Sequence, residues 1–440
     1  MKAPYFKALL SSALLGLLPT VSHADDLLRV FQQASANDPV IRIARAQYNA
    51  THTALKEGRA QLLPSVTLTG NTARNTQAPT VAHSFADGFN THSYSLSLSQ
   101  NLLNFEAWYN FQAVQESDKQ ALSTLAIAEQ QLILRVASAY FDVLRSQNNL
   151  AVFSAQEAAA REVMNQTEQR YELGFAEISD VYDSQTSYSQ ARVSRLDEEN
   201  LLQERIEALE IISGGSHGVL EGLSESFPVV SANPRNLQDW LSLTEENNLN
   251  IQAAEFTLAG TEHQARAAKS AMLPTLTLNA NYNDTAERDN PFAFISQASN
   301  STAITLSVSV PLFRGGANKA RLERAYYSID ANKERLEQVE RESLALTRNS
   351  YRSIETALQT VAAREETITF AENALEATEV GMEVGTRNIV DLLQAQRALF
   401  QAQRDYANAR LDYVITTLNL KQAAGTLSPQ DVIDLNEWLE

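Results

Sequence analysis

The chain has 440 residues, a formal net charge of −18 and no cysteine. The negative charge argues against nucleic acid as a partner, because its phosphates would be repelled. The lack of cysteine excludes disulfides, thiolate metal sites, a cysteine nucleophile and a cysteine-borne lipid anchor. A chain of this length usually forms two or three domains, or one elongated repeat.

The N-terminus has the features of a secretory signal peptide, predicted over residues 1–24. Lys2 and Lys7 precede the apolar run ALLSSALLGLLP, and the small residues Ser22 and Ala24 precede the predicted cleavage. The alternative is a buried N-terminal helix. No other stretch approaches the ~20 apolar residues that a spanning helix needs, so any membrane crossing is expected to use β-strands.

Two collinear pairs of similar segments indicate an internal duplication. LLPSVTL (62–68) resembles MLPTLTL (272–278), and ELGFAEISDVYDSQTSYSQA (172–191) resembles EVGTRNIVDLLQAQRALFQA (383–402). Such spacing predicts two copies of one unit of about 210 residues. We expect copies over 25–213 and 248–425, with 214–247 as a linker and 426–440 as a C-terminal segment, both packed outside the long helices.

Each copy predicts a helix, two strands, a long helix and a returning helix. The first helix covers about 38–61, and Pro64 and Pro274 precede the strands because proline disfavours helix just before itself. The strand segments include SVTLTGN (65–71) and YSLSLS (94–99), where apolar residues alternate with Ser, Thr or Asn and no charge occurs. Period-2 alternation is typical of strands.

The uncharged alternation suits a transmembrane β-barrel, with a soluble sandwich as the alternative. Each chain supplies four strands, whereas a small barrel needs about eight. An open edge does not survive in lipid, so several chains are expected to share one barrel. Two chains would give eight strands and three would give twelve, and the strand count alone does not choose between them.

The long helix of the first copy is predicted over 106–173, a stretch without proline or glycine. A helix of about 68 residues would be roughly 100 Å long. Apolar spacings of three, four and seven in both copies are typical of coiled coils. The returning helices, about 178–212 and 389–424, complete two hairpins, with Gly174 and Gly385 at their turns.

Aromatic residues mark the junction of strand and long helix. Phe105, Trp108 and Tyr109 are interpreted either as a belt at the membrane–water boundary or as packing at a corner. In the loop predicted over about 75–92, His83 and His92 are interpreted as ordinary loop residues rather than as a metal site.

The chain resembles the TolC-type outer-membrane efflux protein family over nearly all of its mature length. The resemblance rests on the signal peptide, the duplicated unit, LLP and MLP before the strands, VPLFRGG (310–316) and VGTRNIVDLLQA (384–395). It implies an α+β, internally duplicated fold. In that fold a trimeric 12-stranded transmembrane β-barrel, with four strands per chain, continues into a long periplasmic α-helical coiled-coil barrel.

The resemblance also implies a function and partners. The family carries drugs or type I-secreted proteins across the periplasm and outer membrane of Gram-negative bacteria. Its partners are a periplasmic adaptor (membrane fusion) protein and an inner-membrane transporter of the ABC, RND or MFS type. No cofactor is expected, and no enzyme motif is found. The alternative is a trimeric coiled-coil scaffold or adhesin without transport.

The family closes its periplasmic end with a gate at the hairpin turns. There the resemblance implies that Arg387 of the second hairpin bonds to the first hairpin at Asp180 and Ser179. Met382 stands where the family has a tyrosine and cannot donate a hydrogen bond.

The resemblance further implies an acidic ring at the periplasmic entrance. Asp391 matches one of two family aspartates, and Gln394 stands at the other. Three copies of Asp391 around one axis would attract cations and resist anions. Asp391 also lies in a first helical turn, so capping of the helix is the simpler alternative.

Overall fold

The computed structural model describes residues 25–75, 89–288 and 298–440. The predicted signal peptide, His83 and the centres of both strand-connecting loops lie outside these ranges. The described ranges contain nine helices and four strands: α1 (Leu27–Asn37), α2 (Pro39–Ala60), β1 (Ser65–Asn75), β2 (Phe89–Leu103), α3 (Phe105–Glu172), α4 (Ile178–Ser213), α5 (Leu237–Asn247), α6 (Leu249–Ser270), β3 (Thr275–Arg288), β4 (Ala298–Ser309), α7 (Ala317–Glu383), α8 (Ile389–Ala423) and α9 (Pro429–Asn436).

The helix pair α1 and α2 is repeated by α5 and α6 at an offset of 210 residues. Asp38 and Asn248 separate the helices of each pair and accept hydrogen bonds from Val40 N at 2.8 Å and Asn250 N at 2.9 Å. Pro39 ends α1, because the residue before a proline avoids helical geometry. Residues 237–247, assigned to the linker from the sequence, thus fold as the equivalent of α1. We propose that the second copy begins at α5.

The four strands form one antiparallel sheet in the order β1-β2-β3-β4. The register places Leu68 opposite Leu96, and Leu96 opposite Tyr282. One face of the sheet therefore collects the apolar side chains, while the other carries Ser, Thr and Asn. The apolar face is bare in the single chain, where Leu68 is 73% exposed and Ile304 76% exposed. The sheet has the predicted alternation, with strands longer than the sequence segments indicated.

The long helices have the predicted length. α3 has 68 residues and α7 has 67, which corresponds to roughly 100 Å each. α3 begins directly after β2, where Asn104 Oδ1 accepts a hydrogen bond from Ala107 N at 3.0 Å. It packs against α4, α6 and α8, while α7 packs against α8 and α6. None of the helices in the described ranges is both long and apolar enough to span a membrane.

The main core lies partway along the long helices, at a level that we call the waist, around Tyr140 and Tyr351. These two tyrosines occupy equivalent positions in α3 and α7. Each donates its hydroxyl to a backbone carbonyl of the connecting segment before α5, Tyr140 to Glu221 O at 2.8 Å and Tyr351 to Arg235 O. Burial raises the pKa of Tyr140, so its hydroxyl stays protonated and remains a donor. The connecting segment is thereby fixed to both long helices.

Asp38 offers a test of how the small helices hold α3. Its side chain caps α2 and forms an ion pair with Arg135 of α3. Asp38→Ala removes both interactions, and we expect the lost cap alone to cost about 1–2 kcal/mol. Asp38→Asn can keep the oxygen that caps α2 but replaces the oxygen that faces Arg135 with an NH2 group, so its stability should lie between wild type and Asp38→Ala. The order of the three stabilities can be measured by thermal unfolding in detergent, followed by far-UV circular dichroism. Equal midpoints for all three proteins would contradict it.

Candidate functional site

The two hairpin turns at the far end of the helices have the same backbone design. Gly174 and Gly385 adopt left-handed conformations, with φ of 79° and 78°. After α3, Phe175 N donates to Arg170 O at 2.7 Å, and after α7, Thr386 N donates to Gly381 O at 2.8 Å. This bond, with a second from each glycine N–H, is the Schellman arrangement that ends a helix. The structure therefore places both predicted turn glycines at the hairpin tips.

Asp180 and Asp391 both cap the helix that returns from the turn. Asp180 Oδ2 accepts a hydrogen bond from Glu177 N at 3.2 Å, and Asp391 Oδ2 accepts one from Asn388 N at 3.3 Å. Asn388 Oδ1 in turn accepts from Asp391 N at 2.9 Å, which completes a capping box. The capping role weighed in the sequence for Asp391 is thus present. It does not remove the carboxylate charge, and so is compatible with an acidic ring.

Arg387 does not form the predicted ion pair with Asp180 within this chain. Its guanidinium lies 3.8 Å from Asp391 Oδ2 instead. Arg387 lies just before Asn388, the N-cap of α8, and Asp391 lies in the first turn of that helix, so the two residues are near neighbours along the chain. The side chains of Arg387 and Asp391 are 59% and 35% exposed, which makes this a weak, solvent-screened pair.

Arg387 and Asp180 nevertheless line the same cavity, which lies between the two hairpin tips. It has a volume of about 220 Å³, and its walls also include Arg170, Met382 and Asn388. The tips of the two repeats therefore meet around a small polar space.

Ser179 and Met382 have different surroundings. The Ser179 hydroxyl donates to Glu177 Oε2 at 3.4 Å and remains exposed. Met382 packs against a separate small core at the tips. The members of that core are Val163, Ile389, Leu392 and Leu393. The sequence analysis did not identify it, although apolar residues at helical spacing in α7 and α8 indicate buried positions there. The Met382 side chain therefore takes part in apolar packing.

The predicted aromatic residues lie where the sheet meets the long helices. Phe105 and Trp108 are 41% and 47% exposed, and Tyr109 is half-buried. Leu312 and Phe313, just before α7, are 91% and 86% exposed and extend the same apolar level. Phe105 and Trp108 are therefore exposed in the single chain rather than packed into a corner of it, and we propose that they belong to a boundary belt.

A buried Ser–His–Asp arrangement lies at the end of α4. His217 Nδ1 is 3.1 Å from Asp25 Oδ2, and His217 Nε2 is 2.6 Å from Ser213 Oγ. Ser213 is fully buried, so no substrate can reach its hydroxyl. This cluster ties the start of the described chain to α4. Within the described ranges no group of three or more His and acidic side chains could hold a metal ion.

The family model described as Outer membrane efflux protein matches the chain twice, over residues 30–215 and 240–426. The chain belongs to the outer membrane efflux protein family. The two matches confirm the internal duplication, and the family confirms an outer-membrane location.

Individual relatives cover nearly the whole of this efflux family member. Outer membrane protein TolC of Vibrio cholerae serotype O1 is 34% identical, covering 98% of this chain and 97% of the relative. Proteases secretion protein PrtF of Dickeya chrysanthemi is 25% identical, covering 99% and 95%. The crystal structure of outer membrane protein VceC from Vibrio cholerae matches with a TM-score of 0.75 at 17% identity, covering 91% and 96%. This match confirms the fold.

The boundary belt can be tested with Trp108. We expect brominated acyl chains to quench part of the tryptophan fluorescence of the protein in lipid bilayers, because Trp108 would lie at the membrane surface. Trp240 is 3% exposed at the waist and should not contribute. Trp108→Phe should abolish the quenching, while Trp240→Phe should leave it intact. Quenching that survives Trp108→Phe would contradict the assignment.

Proposed function

We propose that this protein is the outer-membrane exit duct of an export system. It receives cargo from an inner-membrane transporter of the ABC, RND or MFS type through a periplasmic adaptor and releases it outside the cell. One observation carries the proposal: a sheet with a bare apolar face continues directly into helices roughly 100 Å long. The charged residues of its strands all lie towards the end away from the helices: Arg74, Asp284, Glu287 and Arg288. The sheet suits the lipid, and the helices suit a passage through the periplasm.

The proposed cargo comprises drugs and type I-secreted proteins. The name of the family refers to efflux, and the name of the Dickeya relative refers to protease secretion. A duct touches its cargo weakly, so the inner-membrane partner would make the choice. Enzyme activity is not part of the proposal, and no cofactor is required.

The proposed assembly is a homotrimer. Within residues 25–75, 89–288 and 298–440, β1 and β4 are the edges of the sheet, and their outer backbone groups need partners in lipid. The hairpins are open in the same way: α4, α3, α8 and α7 pack in that order, so α4 and α7 each have a free side. Three chains joined β4 to β1 and α7 to α4 would give twelve strands and a closed ring of helices.

The duplication supplies a specific contact for the α7–α4 joint. Within the chain, Asn149 of α3 and Asn408 of α8 meet at 3.4 Å. Their equivalents in the other copy, at an offset of 211, are Thr360 of α7 and Asp197 of α4. Both are exposed in the single chain. If the ring is quasi-symmetric, Thr360 of one chain lies beside Asp197 of the next.

The trimer can be tested by disulfide cross-linking at the α7–α4 joint. The natural chain has no cysteine, so only the introduced thiols can react. We expect Asp197→Cys/Thr360→Cys to form covalent dimers and trimers on oxidation, while each single cysteine variant stays monomeric in denaturing gels. Mass measurement of the wild-type protein in detergent should give three chains. A measured monomer or dimer would refute the twelve-stranded barrel, and failure of the cross-link alone would refute only the α7–α4 joint.

The proposed gate lies at the hairpin tips, with Arg387 as its latch and Asp391 as the acidic ring. Arg387 lies 3.8 Å from Asp391 and so offsets part of the ring's charge in each chain. Asp180 and Ser179 of the first hairpin are the proposed alternative partners, since Asp180 lines the same cavity. Loss of Arg387 would therefore both release the latch and expose the ring.

Planar-bilayer recordings test this gate. We expect Arg387→Ala to raise conductance and cation preference together, with a gain in open population of up to about fivefold for each exposed ion pair lost. Arg387→Lys retains the charge and should stay near wild type. Asp391→Asn should weaken cation preference. Unchanged conductance in Arg387→Ala would refute the latch role of Arg387. Equal cation and anion permeability in the wild type would refute the acidic ring of Asp391.

A further inference from the structure

Gly381 is an unexplained glycine in the last turn of α7. It lies within the helix and is buried, although most residues around the tip are exposed. Its backbone does not adopt the left-handed conformation that favours glycine, in contrast to Gly385 four residues later. Alanine would be the better helix former at such a position. A reason other than backbone conformation must therefore favour the missing side chain.

The space that a side chain would fill at Gly381 is occupied by Arg387. A Cβ atom at position 381 would lie 2.7 Å from Arg387 Cγ and 3.2 Å from Thr386 Oγ1. The Gly381 carbonyl also accepts hydrogen bonds from Thr386 N at 2.8 Å and Arg387 N at 3.1 Å. Thr386 Oγ1 donates to the same oxygen at 3.1 Å. The first two residues of the turn beyond Gly385 are thus held against Gly381.

The position of the close contact along the side chain matters. Cγ is the second carbon of the arginine side chain, so with the backbone in place it can move away only by rotation about χ1. Such a rotation swings the whole side chain and carries the guanidinium off its position beside Asp391. A methyl group at position 381 would therefore redirect Arg387 rather than merely crowd it.

The first hairpin shows the opposite distribution of large and small residues. At an offset of 211, Arg170 takes the place of Gly381, and Ala176 takes the place of Arg387. Each tip thus combines one arginine with one small residue, but on opposite sides of the turn. Both arginines line the cavity between the tips. The exchange lets one arginine enter that cavity from each hairpin without collision inside either turn.

We propose that Gly381 is a positioning residue that sets the direction of Arg387. The inference rests on the proposed gate, in which Arg387 is the latch. Gly381 itself touches neither cargo nor ions. It acts by leaving the space in which the arginine side chain folds back over α7 towards Asp391.

The test is Gly381→Ala, measured by single-channel conductance and ion selectivity in planar bilayers. We expect conductance and cation preference to rise to within about twofold of the Arg387→Ala values, because both changes remove the arginine from its place. An ordinary helix glycine would behave in the opposite way, since alanine strengthens the helix and would leave the closed state unchanged or tighter. A Gly381→Ala channel with wild-type conductance would overturn the inference.

A double variant separates positioning from general damage. In Gly381→Ala/Arg387→Ala the Cγ contact is gone, so we expect no further rise over Arg387→Ala alone. A further, additive rise would show that Gly381 acts independently of Arg387 and would overturn the proposal. Thermal unfolding of Gly381→Ala should match wild type or exceed it, and a clear loss of stability would assign the glycine a merely structural role.

The two proposals fail in different ways. If Arg387→Ala itself leaves conductance unchanged, the gate is refuted and the role of Gly381 falls with it. If Arg387→Ala opens the channel but Gly381→Ala does not, the gate stands and only the positioning role is refuted.

Discussion

The backbone edges of a four-stranded sheet are the constraint on which the rest of this structure depends. β1 and β4 each present a row of N–H and C=O groups with no neighbouring strand in the part of the chain that the structure describes, while one face of the sheet is apolar and bare. In lipid those groups have no water to bind, so other strands must satisfy them. The number of strands per chain thus makes assembly a condition of insertion. The ring of helices below the sheet would have the same rotational symmetry as the closed barrel.

The duplication makes such a ring simple to build. Within one chain α3 packs against α8, and the equivalent helices of the other copy, α7 and α4, would make the corresponding contact between chains. The two copies are similar where they carry the architecture, as in Tyr140 and Tyr351 at the waist. The hairpin ends share their backbone design but differ at single positions, as in Arg170 against Gly381. Such single differences suit a gate, because identical tips could not form pairs between unlike partners.

Much of the fold could be read from the sequence because its signals are local and long. A stretch without proline or glycine gave the length of α3, and uncharged alternation gave the strands. The first predicted helix, about 38–61, matches α2, whereas α1 was not predicted, because its eleven residues give only about three turns of periodicity. Arg387 was assigned by resemblance to a distant carboxylate, whereas Asp391 one helical turn away is nearer. Gly381 carried no usable signal, because its importance depends on a contact between α7 and the turn after it.

The waist has a mechanical consequence. α3 runs from Tyr140 to its end at Glu172 without a glycine or proline, so this arm is a stiff rod of about 50 Å. A rod held at one end by a buried tyrosine and its hydrogen bond to the connecting segment is a lever. A tilt of about 10° at the waist would displace the hairpin tip by roughly 8 Å, which is more than a helical turn. A small tilt caused by a force on the segment around the waist would therefore produce a large movement at the periplasmic entrance.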